Sequence, residues 1–324
     1  MSIAALLAVL SSVAYGFSDV VVGAAVRRHS TAALALWAQL TGLLVLAVVV
    51  GIRRPDVVAG SVAWGAAAGA LGAAAVLTFY TALQRGSTAI VAPIAGCGVL
   101  IPVLAGLAGG EDVGWRAVAG VLAAVVGVLV VAATGGHEDG GGSTAQPERG
   151  RHRPPAFPPR GQPVPTADGC VPGRNSGSHR SSVRLATVSA LGLGFFFVVL
   201  DQATGAAGEA AGTVDTALVV AVAVQVGALL VTVLAAARHT RRCLRLSPAL
   251  LGPALAVGVL DLAADLFLNV AVGRGPLAVV GPLGSMAPVV AVVVAMVFLR
   301  QRVSRGQGVG IVTVLLGIGL IASG

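Results

Sequence analysis

Residues 82–94 read ALQRGSTAIVAPI, and residues 271–283 read AVGRGPLAVVGPL. An alanine, an Arg-Gly pair, a second alanine, a valine and a proline recur in the two stretches at one constant offset. Chance similarity between apolar segments explains the apolar matches, but it does not explain an Arg-Gly pair and a proline in register. The match predicts that the two halves of the chain are repeats of one structural unit.

Apolar runs flank both copies of this motif and fill most of the chain. Of the 324 residues, 56% are hydrophobic and 10% are charged, and the mean hydropathy is +0.92. Soluble chains carry roughly a quarter charged residues, so these values argue against aqueous enzymes and soluble nucleic-acid-binding proteins. A helix needs about 20 apolar residues to cross the hydrocarbon core of a bilayer. Ten such spans are predicted, at residues 3–25, 32–51, 60–83, 88–108, 115–134, 184–207, 215–237, 249–272, 276–298 and 307–323.

Each half contains five predicted spans, and this odd number makes the two repeats enter the bilayer from opposite sides. Residues 1–134 and 183–324 are the predicted repeats, and residues 135–182, rich in glycine, proline and arginine, are a predicted disordered linker. The sequence therefore predicts an all-α membrane protein with ten transmembrane helices arranged as two inverted five-helix repeats.

The motifs of these spans resemble those of the EamA-type transporters of the drug/metabolite transporter superfamily. The resemblance rests on the A-x-x-R-G helix end and the following proline of each half, the turn Gly109-Gly110-Glu111, the glycine pairs Gly120/Gly127 and Gly310/Gly317, and the start Tyr15-Gly16-Phe17. The second half has Leu299-Arg300-Gln301 where the acidic turn is expected, so no role is assigned to Glu111. The resemblance implies a ten-helix carrier of small metabolites or drugs, often an exporter, and it does not name a substrate.

Four aspartates lie inside the predicted spans, where a charge is costly and is therefore a candidate for function. They are Asp19, Asp201, Asp261 and Asp265. Asp261, Asp265 and Asn269 are spaced by four residues and form one polar stripe on the eighth span. Because no arginine lies deep in a span, these aspartates are predicted to carry a proton or to receive a substrate amine. The alternative is that they bond neighbouring helices, or that Asp19 and Asp201 stay hydrated near an interface.

Other polar and helix-breaking residues inside the spans are weaker candidates. Gln39 and Gln225 lie in the middle of the second span of each half, where an amide can contact substrate or bond two helices. Tyr80 occupies the repeat position of Asn269 and is predicted to line the same cavity. Pro93 and Pro282 match in the repeat, and each is interpreted either as a plain kink or as a hinge beside a cavity.

Metal and cofactor chemistry has no support in the sequence. The three cysteines and five histidines show no metal-ligand or disulfide pattern. All 21 basic residues are arginine and lie mostly between the spans, as topology signals do. A multi-pass protein of the cytoplasmic membrane, without cofactor and without a nucleic-acid partner, is predicted.

A secondary transporter is the function that these patterns favour. It is predicted to export a small cationic or amine-bearing metabolite or drug by alternating access, with Asp261 and Asp265 as the hypothetical proton-coupling pair. The alternative is an uncoupled facilitator or exchanger of the same fold. A channel is less favoured because no filter-like run is found, and an enzyme is disfavoured because no nucleophile, base or metal set converges in the spans.

Overall fold

The computed structural model describes residues 2–25, 29–85, 91, 94–111, 114–135, 179–237, 247–298 and 305–323, and its regular structure there is helical. The helices are α1 (Ile3–Ala25), α2 (Thr31–Arg53), α3 (Ala59–Arg85), α4 (Leu100–Ala108), α5 (Trp115–Gly135), α6 (His179–Gly205), α7 (Val214–Ala236), α8 (Pro248–Val272), α9 (Leu277–Gly284), α10 (Ala287–Phe298) and α11 (Arg305–Ser323). Short 3-10 turns lie at Cys97–Val99 and Gly208–Ala210. The predicted linker lies mostly outside the described residues.

Six of these helices are long and apolar enough to cross a membrane, namely α1, α2, α3, α6, α7 and α8. Shorter apolar helices lie at the other four predicted positions. The starts of α7 and α8 follow directly from local sequence, because the side chains of Thr213 and Ser247 accept hydrogen bonds from the backbone N–H groups of Thr216 and Leu250, each at 3.2 Å. The protein is therefore an all-α membrane protein.

The ninth predicted span is two helices and not one. Helix α9 ends at Gly284 and α10 begins at Ala287. The break falls shortly after Pro282, which removes a helical donor. Ser12 of α1, which is fully buried, donates to the carbonyl oxygen of Leu283 at 2.5 Å and accepts from the N–H of Met286 at 3.2 Å. A hydroxyl of another helix thus bonds the backbone groups that the break leaves free.

Helices of the two halves pack mainly on each other. Helix α3 packs on α6 and α7, while α8 packs on α1 and α2. The pairs α2 with α7, α4 with α9, and α5 with α11 also join one half to the other. Exchanging the two halves converts the contacts of α3 with α6 and α7 into those of α8 with α1 and α2, and it leaves the pairs α2 with α7 and α5 with α11 unchanged. The largest cluster of buried apolar side chains likewise includes residues of both halves.

Glycines allow the closest of these approaches. A methyl group on Gly69 of α3 would lie 1.9 Å from the carbonyl oxygen of Val224 in α7, and one on Gly258 of α8 would lie 2.4 Å from that of Ala38 in α2. Gly69 and Gly258 are related by the offset that relates residues 82 and 271. Close backbone contact through small residues is a common way for helices to associate in membranes. Gly308 differs, because no atom lies within 4 Å of a methyl group placed there.

Candidate functional site

One face of α1 carries a row of polar side chains that meets the polar stripe of α8. Tyr15 and Asp19 are four residues apart, so they lie one above the other on the same face of α1. Asp261 and Asp265 have the same spacing on α8. Since α1 packs directly on α8, the two rows face each other across a helix interface.

Two hydroxyl groups of α1 bind the two aspartates of α8. The Tyr15 hydroxyl donates to Oδ1 of Asp265, and the Ser18 hydroxyl hydrogen bonds to the carboxylate of Asp261. Asp19 is close enough to Asp261 for the two carboxylates to interact electrostatically. The structure thus brings three of the four predicted aspartates into one cluster.

Tyr80 contributes to the cluster from a third helix, α3. It lies within electrostatic range of both Asp19 and Asp261, although α3 packs mainly on α6 and α7 while α1 packs mainly on α8 and α10. The side chain of Tyr80 is 40% exposed and Asp19 is exposed too, whereas Asp261 and Asp265 are half-buried. We infer from these exposures that the four side chains border an open crevice between α3 and the α1–α8 pair, with Asp19 and Tyr80 on its exposed side. We call it the aspartate crevice.

The aspartate crevice is lined by acidic side chains. Among the residues that the structure describes, no arginine forms an ion pair with Asp19, Asp261 or Asp265, and the ion pair found there joins Arg53 and Asp215 at 2.9 Å. Ionised carboxylates that faced hydrocarbon would be costly, so three of them together are expected where water or a polar ligand can reach. In the described part of the chain, the crevice therefore presents carboxylates without a basic partner.

The predicted amide candidates lie outside the crevice and bond helices. Asn269 is buried, and its Nδ2 donates to the carbonyl oxygen of Ala217 in α7 at 3.2 Å. The Nε2 of Gln225 donates to the backbone carbonyl oxygen of Gln39 at 3.0 Å and so joins α7 to α2. The Oε1 of Gln39 is buried without a partner in the described part of the chain. Tyr80 and Asn269 therefore occupy different surroundings despite their equivalent repeat positions.

Asp201 also lies away from the crevice. It is half-buried on α6, where it interacts electrostatically with the carboxylate of Glu111. The repeat-matched proline Pro282 is buried within α9, and Pro93 lies outside the described residues. The structure therefore does not bring Asp201 or Pro282 to the other candidates.

Glu111 has a structural position that the sequence did not reveal. It follows α4 in the first half, and its carboxylate accepts from the N–H groups of Leu277 at 2.6 Å and Ala278 at 2.9 Å. These N–H groups are at the start of α9 in the second half, where an α-helix has donors without helical partners and a positive dipole end. Glu111 is thus a helix cap supplied by the opposite half of the chain.

Replacing Glu111 with alanine is expected to lower the free energy of unfolding by about 3 kcal/mol, because two charge-assisted hydrogen bonds to a helix start are lost. Glu111→Gln keeps one acceptor oxygen and should fall between alanine and wild type. The thermal unfolding midpoint of the purified protein in detergent measures this. Glu209→Ala, which removes an exposed carboxylate in the turn Gly208–Ala210, is the matched control. Equal midpoints for the Glu111 and Glu209 variants would contradict the capping role.

Two residues of the crevice, Tyr15 and Ser18, were missed as site candidates. In the sequence, Tyr15 stands out only as part of the aromatic-glycine motif Tyr15-Gly16-Phe17. Its spacing of four residues from Asp19 was a usable signal, because it places an aromatic hydroxyl on the same helix face as an intramembrane carboxylate. Ser18 carried no comparable signal, since serine is common in membrane helices as a packing residue.

Comparison with known proteins agrees with the fold. The profile of the EamA-like transporter family matches residues 2–133 and 180–323. A solved crystal structure of a protein is similar to this one over 98% of this chain and 95% of the other, with 15% sequence identity and a TM-score of 0.65. No curated protein matches the chain.

Proposed function

This chain belongs to the EamA-like transporter family, and on that premise we propose that it is a proton-coupled secondary transporter. The substrate is a small cationic or amine-bearing metabolite or drug, exported across the cytoplasmic membrane. The observation that carries this proposal is the aspartate crevice, in which Asp19, Asp261 and Asp265 meet without an arginine partner among the described residues.

The helix packing supports alternating access by two inverted repeats, residues 1–134 and 183–324, with five spans each. The contacts of α3 with α6 and α7 correspond to those of α8 with α1 and α2 when the halves are exchanged. Secondary transporters built from inverted repeats bind substrate between the halves and open alternately to each side. The crevice lies between α1 and α3 of the first half and α8 of the second, which is where such a substrate would bind.

Proton coupling follows from the spacing of the carboxylates. Asp261 and Asp265 are one helical turn apart, and Asp19 lies close to Asp261. Carboxylates this close repel each other when all are ionised, so the group is expected to retain a proton while no substrate is bound. A cationic substrate entering the crevice would displace that proton, and the proton gradient would then drive export.

Purified protein in liposomes that contain a pH-sensitive dye tests the proposal. A panel of amine-bearing and quaternary ammonium compounds, with anionic compounds as the matched comparison, is added outside under an imposed pH gradient. We expect saturable proton movement that depends on the cationic compounds and is absent for the anions. Saturable transport of anions, or cation transport without proton movement, would contradict the proposal.

An uncoupled facilitator or exchanger of the same fold is the second candidate. The hydrogen bonds of Tyr15 to Asp265 and of Ser18 to Asp261 favour it. Aspartates that only hold α1 and α8 together would make the same bonds. An uncoupled carrier would transport at the same rate at about one pH unit below and above neutrality. Large single-channel currents would instead indicate a channel.

A further inference from the structure

We infer that Tyr15 is a positioning residue of the aspartate crevice. Its hydrogen bond holds Asp265 in place as the proton-carrying group, while Asp19 and Asp261 bind the substrate. The inference rests on the proposed function. The observations behind it are the hydrogen bond from Tyr15 to Asp265, the different exposure of the three carboxylates, and the ability of a phenol both to donate and to accept.

The three carboxylates are not equivalent in the structure. Asp19 is exposed at the open part of the crevice, whereas Asp265 is half-buried and already accepts a hydrogen bond from Tyr15. Asp261 lies between them and interacts with both. A ligand that enters from the open side therefore meets Asp19 first and Asp265 last.

A phenol suits this role because its oxygen both donates and accepts hydrogen bonds. When Asp265 is ionised, Tyr15 donates to it. When Asp265 is protonated, the carboxylic acid can donate to the same phenol oxygen. The pair can therefore stay joined in both protonation states, so that Asp265 exchanges a proton without having to leave its place for the substrate.

Among the residues that the structure describes, four titratable groups surround Asp265. Tyr15 and Asp19 face the region from α1, Asp261 from α8 itself and Tyr80 from α3. Of the other acidic groups on helices that pack against α8, Asp201 interacts with Glu111 and Asp215 pairs with Arg53. Tyr15 is the side chain among these that hydrogen bonds to Asp265. Removing its hydroxyl therefore tests that hydrogen bond with the least change to the other groups.

The chain offers a matched control, because it contains two tyrosines and both lie at the crevice. Tyr15→Phe and Tyr80→Phe each remove one hydroxyl and keep the ring. The carbonyl stretch of a protonated carboxylic acid, assigned by its loss in Asp265→Asn, is titrated by infrared difference spectroscopy on the purified protein. This readout requires no transport, so it separates the role of Tyr15 from the proposed function.

The hydrogen bond that Tyr15 makes to the ionised carboxylate is stronger than the one it shares with the neutral acid, so loss of the hydroxyl favours the protonated form. We expect Tyr15→Phe to move the midpoint of the Asp265 band upward by about one pH unit, and Tyr80→Phe to leave it unchanged. In liposomes, the pH profile of transport should move in the same direction in Tyr15→Phe. The Asp265→Asn variant should show no further change when Tyr15→Phe is added.

An unchanged midpoint in Tyr15→Phe, or an equal shift in Tyr80→Phe, overturns the inference. So does a Tyr15→Phe protein whose only defect is a lower unfolding temperature, because that is what a purely structural hydrogen bond would produce. If the band shifts as expected while wild-type liposomes show no substrate-dependent proton movement, the proposed function fails and the assignment of Tyr15 to Asp265 stands.

Discussion

Replacing Gly69 with alanine is expected to remove most of the correctly folded protein, with a loss of roughly 3 kcal/mol in the free energy of unfolding. The added methyl group would lie 1.9 Å from the carbonyl oxygen of Val224. A flexible side chain could rotate away, but a backbone carbonyl in a helix cannot move without displacing α7 as a whole. Helix α3 would have to separate from α7, and the crevice wall that carries Tyr80 would move with it.

Detergent-solubilised protein tests this through the height of the monodisperse peak in size-exclusion chromatography and the thermal unfolding midpoint. Gly252→Ala in α8 is the matched control, because no atom lies within 4 Å of its added methyl group. It is expected to be neutral or stabilising by up to about 1 kcal/mol, as alanine is the better helix former. A Gly69→Ala protein that matches Gly252→Ala would show that α3 and α7 are not packed this closely.

Replacing Asp265 with asparagine is expected to abolish substrate-dependent proton movement, down to the level of protein-free liposomes. Asparagine keeps the size of the side chain and its hydrogen bonding to α1, but it does not bind a proton in this pH range. Asp261→Asn is expected instead to raise the substrate KM by tenfold or more, a change that corresponds to the free energy of roughly one hydrogen bond to a charged group.

The control for these variants is Asp201→Asn, which neutralises an aspartate of α6 outside the crevice. It should retain coupled transport, and its unfolding midpoint reports whether its interaction with Glu111 affects stability. The coupling hypothesis is wrong if Asp261→Asn and Asp265→Asn both transport at wild-type rates with an unchanged pH profile. The family assignment does not depend on that result.

Sequence reasoning predicted the positions of the long helices well, and the reason is local. Whether about 20 residues can cross a bilayer depends on their own hydropathy and length, and six predicted spans correspond to long apolar helices. The ninth predicted span, in which Pro282 indicated a kink or hinge, is broken into two helices. At the break, the Ser12 hydroxyl of α1 bonds the backbone groups of Leu283 and Met286. A partner so far away in the chain cannot be predicted from the local sequence.

The site was predictable only in part. The spacing of Asp261 and Asp265 placed them on one face of α8, and the absence of an intramembrane arginine made the charge of the site readable from the sequence. The sequence did not show whether the amide side chains face the crevice, as the aspartates do, or bond neighbouring helices. An asparagine at the next position of the same stripe could equally have faced the crevice, and the structure instead turns Asn269 toward the carbonyl oxygen of Ala217.

The sequence by itself therefore determined the membrane class, the positions of the long helices, the repeated motif and the acidic stripe of α8. Each of these depends on residues that are close together in the chain or that match at a constant offset. The tertiary structure alone decided that Tyr15 binds Asp265, that Glu111 caps α9 and that Gln225 bonds α2. Such partners depend on how each helix is rotated and shifted against its neighbour. Contacts such as that of Gly69 with Val224 set this rotation and shift, because only one register brings backbones this close without a clash.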